Sequence, residues 1–172
     1  MTSFIQMTSL GSEGHGSSWH DWRWHMKNVI NNVEKLSAWV NVSERECAAI
    51  ALSAGKYRWQ VTPYYASLMD RDDPQCPIRR QAIPDIDEFV DSTGPTVDPV
   101  GDRLFRKTNR IIHKYPDRVV LLVTEICPVY CRHCTRKYHT TDREGTYFSE
   151  DEAVPLSEDR EYIEFHPEVR DV

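Results

Sequence analysis

No apolar run of about eighteen residues, the minimum for a membrane-spanning helix, occurs in the 172 residues. An excess of basic charge is missing too. Lys and Arg number 21 against 27 Asp and Glu, a net charge of −6, which speaks against a nucleic-acid binder with a basic face. Residues 1–18 have neither a basic start nor an apolar stretch, so no secretory signal is expected, and their Gly, Ser and polar residues predict a flexible tail. Internal repeats and low-complexity blocks are also absent. What remains, 40% hydrophobic and 28% charged, is the composition of a soluble globular domain with a core. The five cysteines are an odd count, three clustered and two, Cys47 and Cys76, standing apart. Without a secretory signal a reducing, cytoplasmic setting is expected, where clustered cysteines favour metal over disulfide.

Residues 19–102 are expected to form a helical region. Trp19, Trp22 and Met26 share one helical face, with Ser18 as a candidate cap. After Asn31-Asn32, the residues Val33, Leu36 and Val40 mark a second short helix. Ser43-x-x-Glu46 is a capping box followed by Cys47, Ile50, Ala51 and Ala54 at helical spacing, with Gly55 as a left-handed stop. Val61–Asp70 reads as a helix with Pro63 in its first turn, and Pro77–Ala82 as a helical turn ending before Pro84. Residues 85–102 are acidic, with Pro95, Pro99, Gly94 and Gly101, and are expected to be irregular. Cys47 reads as a packing residue, Cys76 as a loop thiol, and His15, His20 and His25 show no metal-ligand pattern.

The organising feature is Cys127-Pro-Val-Tyr-Cys131-Arg-His-Cys134, directly after the apolar run Val119–Thr124. That run suits one buried strand, with Tyr115-Pro-Asp117 as the turn before it. Ligands in α/β folds collect at the carboxyl ends of strands. Three thiols at C-x₃-C-x₂-C spacing suit three irons of a [4Fe–4S] cluster, leaving the fourth iron open. Zinc is the alternative metal, because His133 or His139 could complete a four-ligand site. Three unrelated buried thiols is a third reading. A polar loop from Thr135 to Arg143, a stretch crossing the surface at Glu144–Phe148, a helix over Ser157–Phe165 and the first residues of another strand at Val169–Val172 complete a βαβ beginning.

These residues resemble the lysine 2,3-aminomutase family of S-adenosylmethionine radical enzymes. The likeness is carried by the three cysteines, by His113-Lys-Tyr-Pro-Asp-Arg-Val119 and by Tyr130-Cys-Arg-His-Cys-Thr-Arg-Lys137. Trp22-Arg-Trp24, Thr62-Pro-Tyr-Tyr65, Asp73-Pro74 with Pro77-Ile-Arg79, and His166–Val172 extend it. The resemblance implies an α/β fold: a helical N-terminal region followed, over residues 103–172, by the first strand-loop-helix unit of an incomplete (β/α) barrel. Family members are longer, and the lysine that attaches pyridoxal phosphate has no counterpart here. The expectation is therefore the N-terminal part of such an enzyme, with an inactive remnant or split-gene fragment as the alternative and a zinc-binding module as a further one. One strand and the start of another are expected to leave sheet edges without partners.

The resemblance also implies chemistry. A [4Fe–4S] cluster on Cys127, Cys131 and Cys134 would bind S-adenosylmethionine, and a 2,3-aminomutase would move an amino group on a substrate held by pyridoxal phosphate. Arg118 matches an arginine near the cofactor's phosphate. Lys114 stands where the family usually has arginine, offering a point charge without the bidentate fork. Arg136 matches the arginine that pairs with the substrate carboxylate. From the residues alone, Arg118 could instead pair with Asp117. Implied partners are a small amino acid, a reductant such as flavodoxin or ferredoxin, a second chain carrying the missing barrel and, in the complete enzyme, a homo-oligomer, with no nucleic acid and no membrane.

Overall fold

The computed structural model describes residues 16–55, 57–90, 98–140 and 156–172. The stretch Glu144–Phe148, the imidazole of His139, His15 and the tail up to residue 15 lie outside what is described. Two compact units make up the chain: one running to Gly94 and including Pro128–Cys134, the other Pro95–Cys127 with Thr135–Val172. No helix is long and apolar enough to cross a membrane among the described residues.

The first unit is built from short, individually capped helices. A 3₁₀ turn at Gly16–His20 precedes α1, Trp22–Lys27. Asp21, not Ser18, caps α1 by accepting the Arg23 N–H at 2.9 Å. The expected Trp19–Trp22–Met26 face is not the buried one: Trp22 is exposed and His25 is buried. His25 is a structural residue, because its Nδ1 accepts the Tyr64 N–H at 3.3 Å and Nε2 donates to the Trp19 carbonyl at 2.8 Å. The rings of Trp19, Trp24 and Tyr64 surround it.

Asn32 caps α2, Val33–Ser37, and the Ser43–Glu46 capping box opens α3, Glu44–Ser53. Helix α3 ends at Ala54 without a left-handed glycine, since positive φ is confined to Gly16 and Gly101 among the described residues. The buried face of α3 is Glu46, Ala49, Ile50 and Ser53, so Ala51 and Ala54 turn outward. The rotation follows from Glu46, which turns inward to meet Arg79. Pro63 and Pro77 open α4, Pro63–Ser67, and α5, Pro77–Ala82, where their missing N–H costs nothing. Ile30, Leu36, Val40, Ile50, Val61 and Ile83 are among the core side chains these elements bury.

Cys76 lies, as expected, in the loop that leads into α5, but it is buried there and its sulfur accepts the Asp70 N–H at 3.3 Å. The acidic stretch after Pro84 is more regular than expected. Asp85 and Glu88 form a second capping box around a 3₁₀ turn at Ile86–Phe89.

The second unit centres on a hairpin of β1, Ile111–Tyr115, and β2, Arg118–Leu121, antiparallel with Tyr115 opposite Arg118 across the Pro116-Asp117 turn. The architecture is thus mixed α/β, with helices and a two-stranded antiparallel sheet. The run Val119–Thr124 is not one buried strand: β2 ends at Leu121, Val119 is buried, and Val120 and Val123 are exposed. Nor does β2 lack edge partners. Strand β1 takes one edge, and on the other Asp171 bridges Arg118 in parallel and accepts the Val119 N–H at 3.0 Å.

Lys137–Thr140 form α6, a turn within the polar loop, and Ser157–Glu164 form α7. Helix α7 is tied to the hairpin through a buried contact in which the Thr108 hydroxyl donates to Asp159. The same Thr108 oxygen accepts the Ile111 N–H at 2.9 Å and the Arg110 N–H at 3.2 Å. Thr108→Val removes all three bonds at near-constant volume and leaves a buried carboxylate unmatched. A loss of about 2–3 kcal/mol is expected, to be read from urea unfolding followed by circular dichroism.

Candidate functional site

The cysteine loop is assembled from backbone outward. In the first unit, Val129 forms an antiparallel bridge with Val61, which itself bridges Ile30. The Tyr130 N–H donates to the Gln60 carbonyl at 3.1 Å and the Arg132 N–H to the Gln81 carbonyl at 2.7 Å. Tyr130 is buried. A turn closed by Cys134 N–H on the Cys131 carbonyl, 3.2 Å, joins two of the thiols.

Arg132 adds a side-chain clamp. Its Nε donates to Glu88 Oε1 at 2.8 Å and Oε2 at 3.1 Å, and Nη2 bonds Oε2 as well. The guanidinium also lies 5.9 Å from the Tyr57 ring centre. Glu88 simultaneously accepts the Asp85 N–H at 3.0 Å, so the capping box and the clamp share one carboxylate. Sequence reasoning passed over Glu88, although Asp85-x-x-Glu88 carries the spacing of a capping box.

All five cysteines are thiols, and Cys127, Cys131 and Cys134 are each half-buried. Cys131 and Cys134 belong to the first unit and Cys127 to the second. Among the described residues, no three His, Cys, Asp or Glu side chains are gathered so as to hold a metal ion. The donor chemistry suits an iron–sulfur cluster, which takes thiolates. Burial pushes the Tyr65 hydroxyl above its usual range, and the Cys131 and Cys76 thiols add to the shift. That hydroxyl stays a donor, bonded to the Ile78 carbonyl at 3.0 Å.

The second unit carries the three cationic candidates. Arg118 is exposed and pairs with Asp117 through two bonds of 2.9 and 3.0 Å. The hydrogen bond from Arg118 holds the Asp117 carboxyl below its ordinary range. This is the pairing that the residues alone offered as the alternative to a cofactor contact. Lys114 sends its ammonium to the Val100 carbonyl at 2.5 Å and lies 5.5 Å from the Phe105 ring centre. Arg136 Nε sits 3.2 Å from the buried Asp102 carboxylate. Lys114 and Arg136 therefore both engage residues 100–105, a stretch expected to be irregular through 102 that contains a 3₁₀ turn at Asp102–Phe105. Arg118 is not brought to that stretch by any of these contacts. Asp102 was not singled out from the sequence, where it is one acidic residue among many.

No protein-family model matches the chain. It is 41% identical over 157 residues to an L-lysine 2,3-aminomutase of Fusobacterium nucleatum, covering 90% of this chain and 35% of that protein. An L-lysine 2,3-aminomutase of Clostridium subterminale is 37% identical over 158 residues, 91% of this chain and 36% of the relative. A glutamate 2,3-aminomutase of Clostridioides difficile is 32% identical over 159 residues, 92% of this chain and 36% of the relative. The chain thus spans about a third of the length of these curated relatives.

Proposed function

Because the chain belongs to the lysine 2,3-aminomutase family, we propose that it carries the cluster-binding part of an amino acid 2,3-aminomutase, an isomerase. The observation that carries this reading is the identity over some nine-tenths of the chain to enzymes of that name, together with three thiols on one loop. Cys127, Cys131 and Cys134 would hold the [4Fe–4S] cluster and leave one iron for S-adenosylmethionine. When bound, cluster and S-adenosylmethionine supply a radical, and pyridoxal phosphate supplies the carrier for the migrating amino group.

The chain's own residues do more ordinary work. Gln60, Gln81 and Glu88 pin the loop that presents Cys131 and Cys134. Arg136 would receive a substrate carboxylate, and Lys114 and Arg118 would give positive charge to a phosphate once their present acceptors exchange. The parallel bridge of Asp171 on Arg118, with α7 between them in sequence, supports reading β2 as the first strand of a (β/α) barrel. A small amino acid substrate and a flavodoxin- or ferredoxin-type electron donor complete the proposal, in a reducing cytoplasmic setting that keeps the thiols available.

The test is anaerobic reconstitution of the chain with iron and sulfide. Roughly four irons per chain and a charge-transfer band near about 400 nm are expected. Cys131→Ser is expected to lose most of both. Uptake of one zinc in place of iron and sulfide would favour the zinc module instead. Adding S-adenosylmethionine and a reductant then asks whether 5′-deoxyadenosine forms. Cluster without 5′-deoxyadenosine would mark the chain as a cluster-binding remnant.

A further inference from the structure

We propose that Asp102 is the positioning residue for Arg136, holding its guanidinium by the Nε side so that the outer, two-nitrogen edge faces a ligand carboxylate. This deepens the reading of Arg136 as a carboxylate contact and rests on it.

A guanidinium has two edges that match a carboxylate: Nε with one terminal nitrogen, and the two terminal nitrogens together. Asp102 Oδ2 lies 3.2 Å from Nε. Neither Oδ2 nor Nε, both buried, has a hydrogen-bond partner among the described residues. The contact is therefore an ion pair that is not aligned as a hydrogen bond. The Arg136 side chain is nonetheless 37% exposed while that of Asp102 is 5% exposed. One side of the arginine thus meets an internal carboxylate, and part of its side chain remains at the surface.

Asp102 is itself rigidly placed. Gly101, at φ +70, starts the 3₁₀ turn in a left-handed conformation that glycine adopts without strain. The Asp98 carboxylate accepts the Asp102 N–H at 2.9 Å and the Arg103 N–H at 2.8 Å. From the hairpin, Lys114 grips Val100 in the same segment. The backbone that carries the carboxylate is therefore tied by two side chains, Asp98 and Lys114. A buried carboxylate needs its cation, since removing one partner leaves an uncompensated charge. A long arginine held at Nε loses less freedom when it then meets a ligand. The arrangement is the arginine counterpart of a carboxylate that orients a histidine ligand from behind.

The test uses the whole 172-residue chain, isotope-labelled, with L-lysine as the probe. The Arg136 Nε–H resonance is assigned by its disappearance in Arg136→Lys. In the wild-type chain it is expected to exchange with water about tenfold more slowly than that of Arg160, whose side chain is 80% exposed; equal exchange overturns the proposal. In Asp102→Asn, which keeps the volume but removes the charge that draws the buried Nε inward, the protection is expected to fall while the amide spectrum of the hairpin is retained. The Kd for L-lysine, read from the Arg136 side-chain shifts, is expected to rise about tenfold. Unchanged protection, or an unchanged Kd with protection lost, also overturns it. Should Asp102→Asn fail to fold, the wild-type exchange comparison decides alone. If Arg136→Lys binds L-lysine as well as the wild type, the reading of Arg136 as a carboxylate contact falls, whereas the exchange comparison still judges its pairing with Asp102.

Discussion

Arg79→Ala is expected to destabilise the first unit by about 3–5 kcal/mol, enough to leave much of it unfolded given the small net stability of ordinary domains. Arg79 is fully buried. Its Nε and Nη2 each donate to Glu46 at 2.7 Å, one bond to each carboxylate oxygen. Nη2 also reaches the Asn41 carbonyl at 2.8 Å, and Nη1 the Arg71 carbonyl at 3.3 Å. One side chain on α5 thus joins α3, the turn before it and the loop after α4. Truncation to alanine leaves a cavity, strands the Glu46 carboxylate and removes a donor from the Asn41, Asp70 and Arg71 carbonyls.

The discriminating comparison is between single and double replacements. Arg79→Met or Glu46→Gln alone should each be strongly destabilising. The pair Arg79→Met with Glu46→Leu should recover most of the loss, because apolar packing can replace a buried ion pair at little cost. Equilibrium urea denaturation of the four chains would measure it, and a double variant no more stable than Arg79→Met would contradict this account. Acid provides a second handle. Burial alone would raise the Glu46 carboxyl, but hydrogen bonds from Arg79 and Ser43 outweigh it and hold the group below its ordinary 4.5. A carboxylate depressed in the folded state contributes stability that is present above 4.5 and lost as the pH falls through its lower folded value. The wild-type chain should therefore lose stability on acidification below about 4.5, and Glu46→Gln should show a shallower loss.

On the proposed cluster reading, Arg132→Met is expected to lower the chain's uptake of iron and sulfide by about 10–100-fold, with little change in the core around Leu36 and Val40. The Arg132 side chain is 8% exposed and that of Glu88 26%. The clamp acts beside Cys131, so its loss removes the side-chain tie that holds the loop and leaves the backbone bonds at Tyr130 and Arg132. Glu88→Gln should produce a smaller drop, because glutamine keeps the volume and one acceptor while losing the charge. Iron and sulfide retained after anaerobic gel filtration, with the rate of iron transfer to a chelator, would report the effect. Full iron content in Arg132→Met would show that the backbone bonds to Gln60 and Gln81 suffice.

Local chemistry made much of the first unit legible. Ser43-x-x-Glu46, Thr62-Pro63 and Pro77 announce helix starts because a side-chain acceptor or a missing N–H acts within one turn. They sit where expected in α3, α4 and α5. The face of α3 was not legible from apolar spacing, since its most consequential inward residue is charged. An acidic side chain reads as solvent-facing until its distant cation is known, and Arg79 is 33 residues away. His25 escaped for the same reason, as did Glu88, whose partner is 44 residues on.

The sequence by itself determined the three-thiol spacing, the caps and the order of motifs, because each depends on residues a few positions apart. Tertiary structure alone decided which cations are already engaged. Lys114 meets Val100 and Arg136 meets a buried Asp102, whereas Arg118 meets the adjacent Asp117 that the sequence itself had offered. It also paired β2 with β1 on one edge and with Asp171 on the other. Those outcomes turn on which acceptors folding places within a few ångströms and removes from water. Long-range proximity and desolvation of that kind are written in no local stretch of chain.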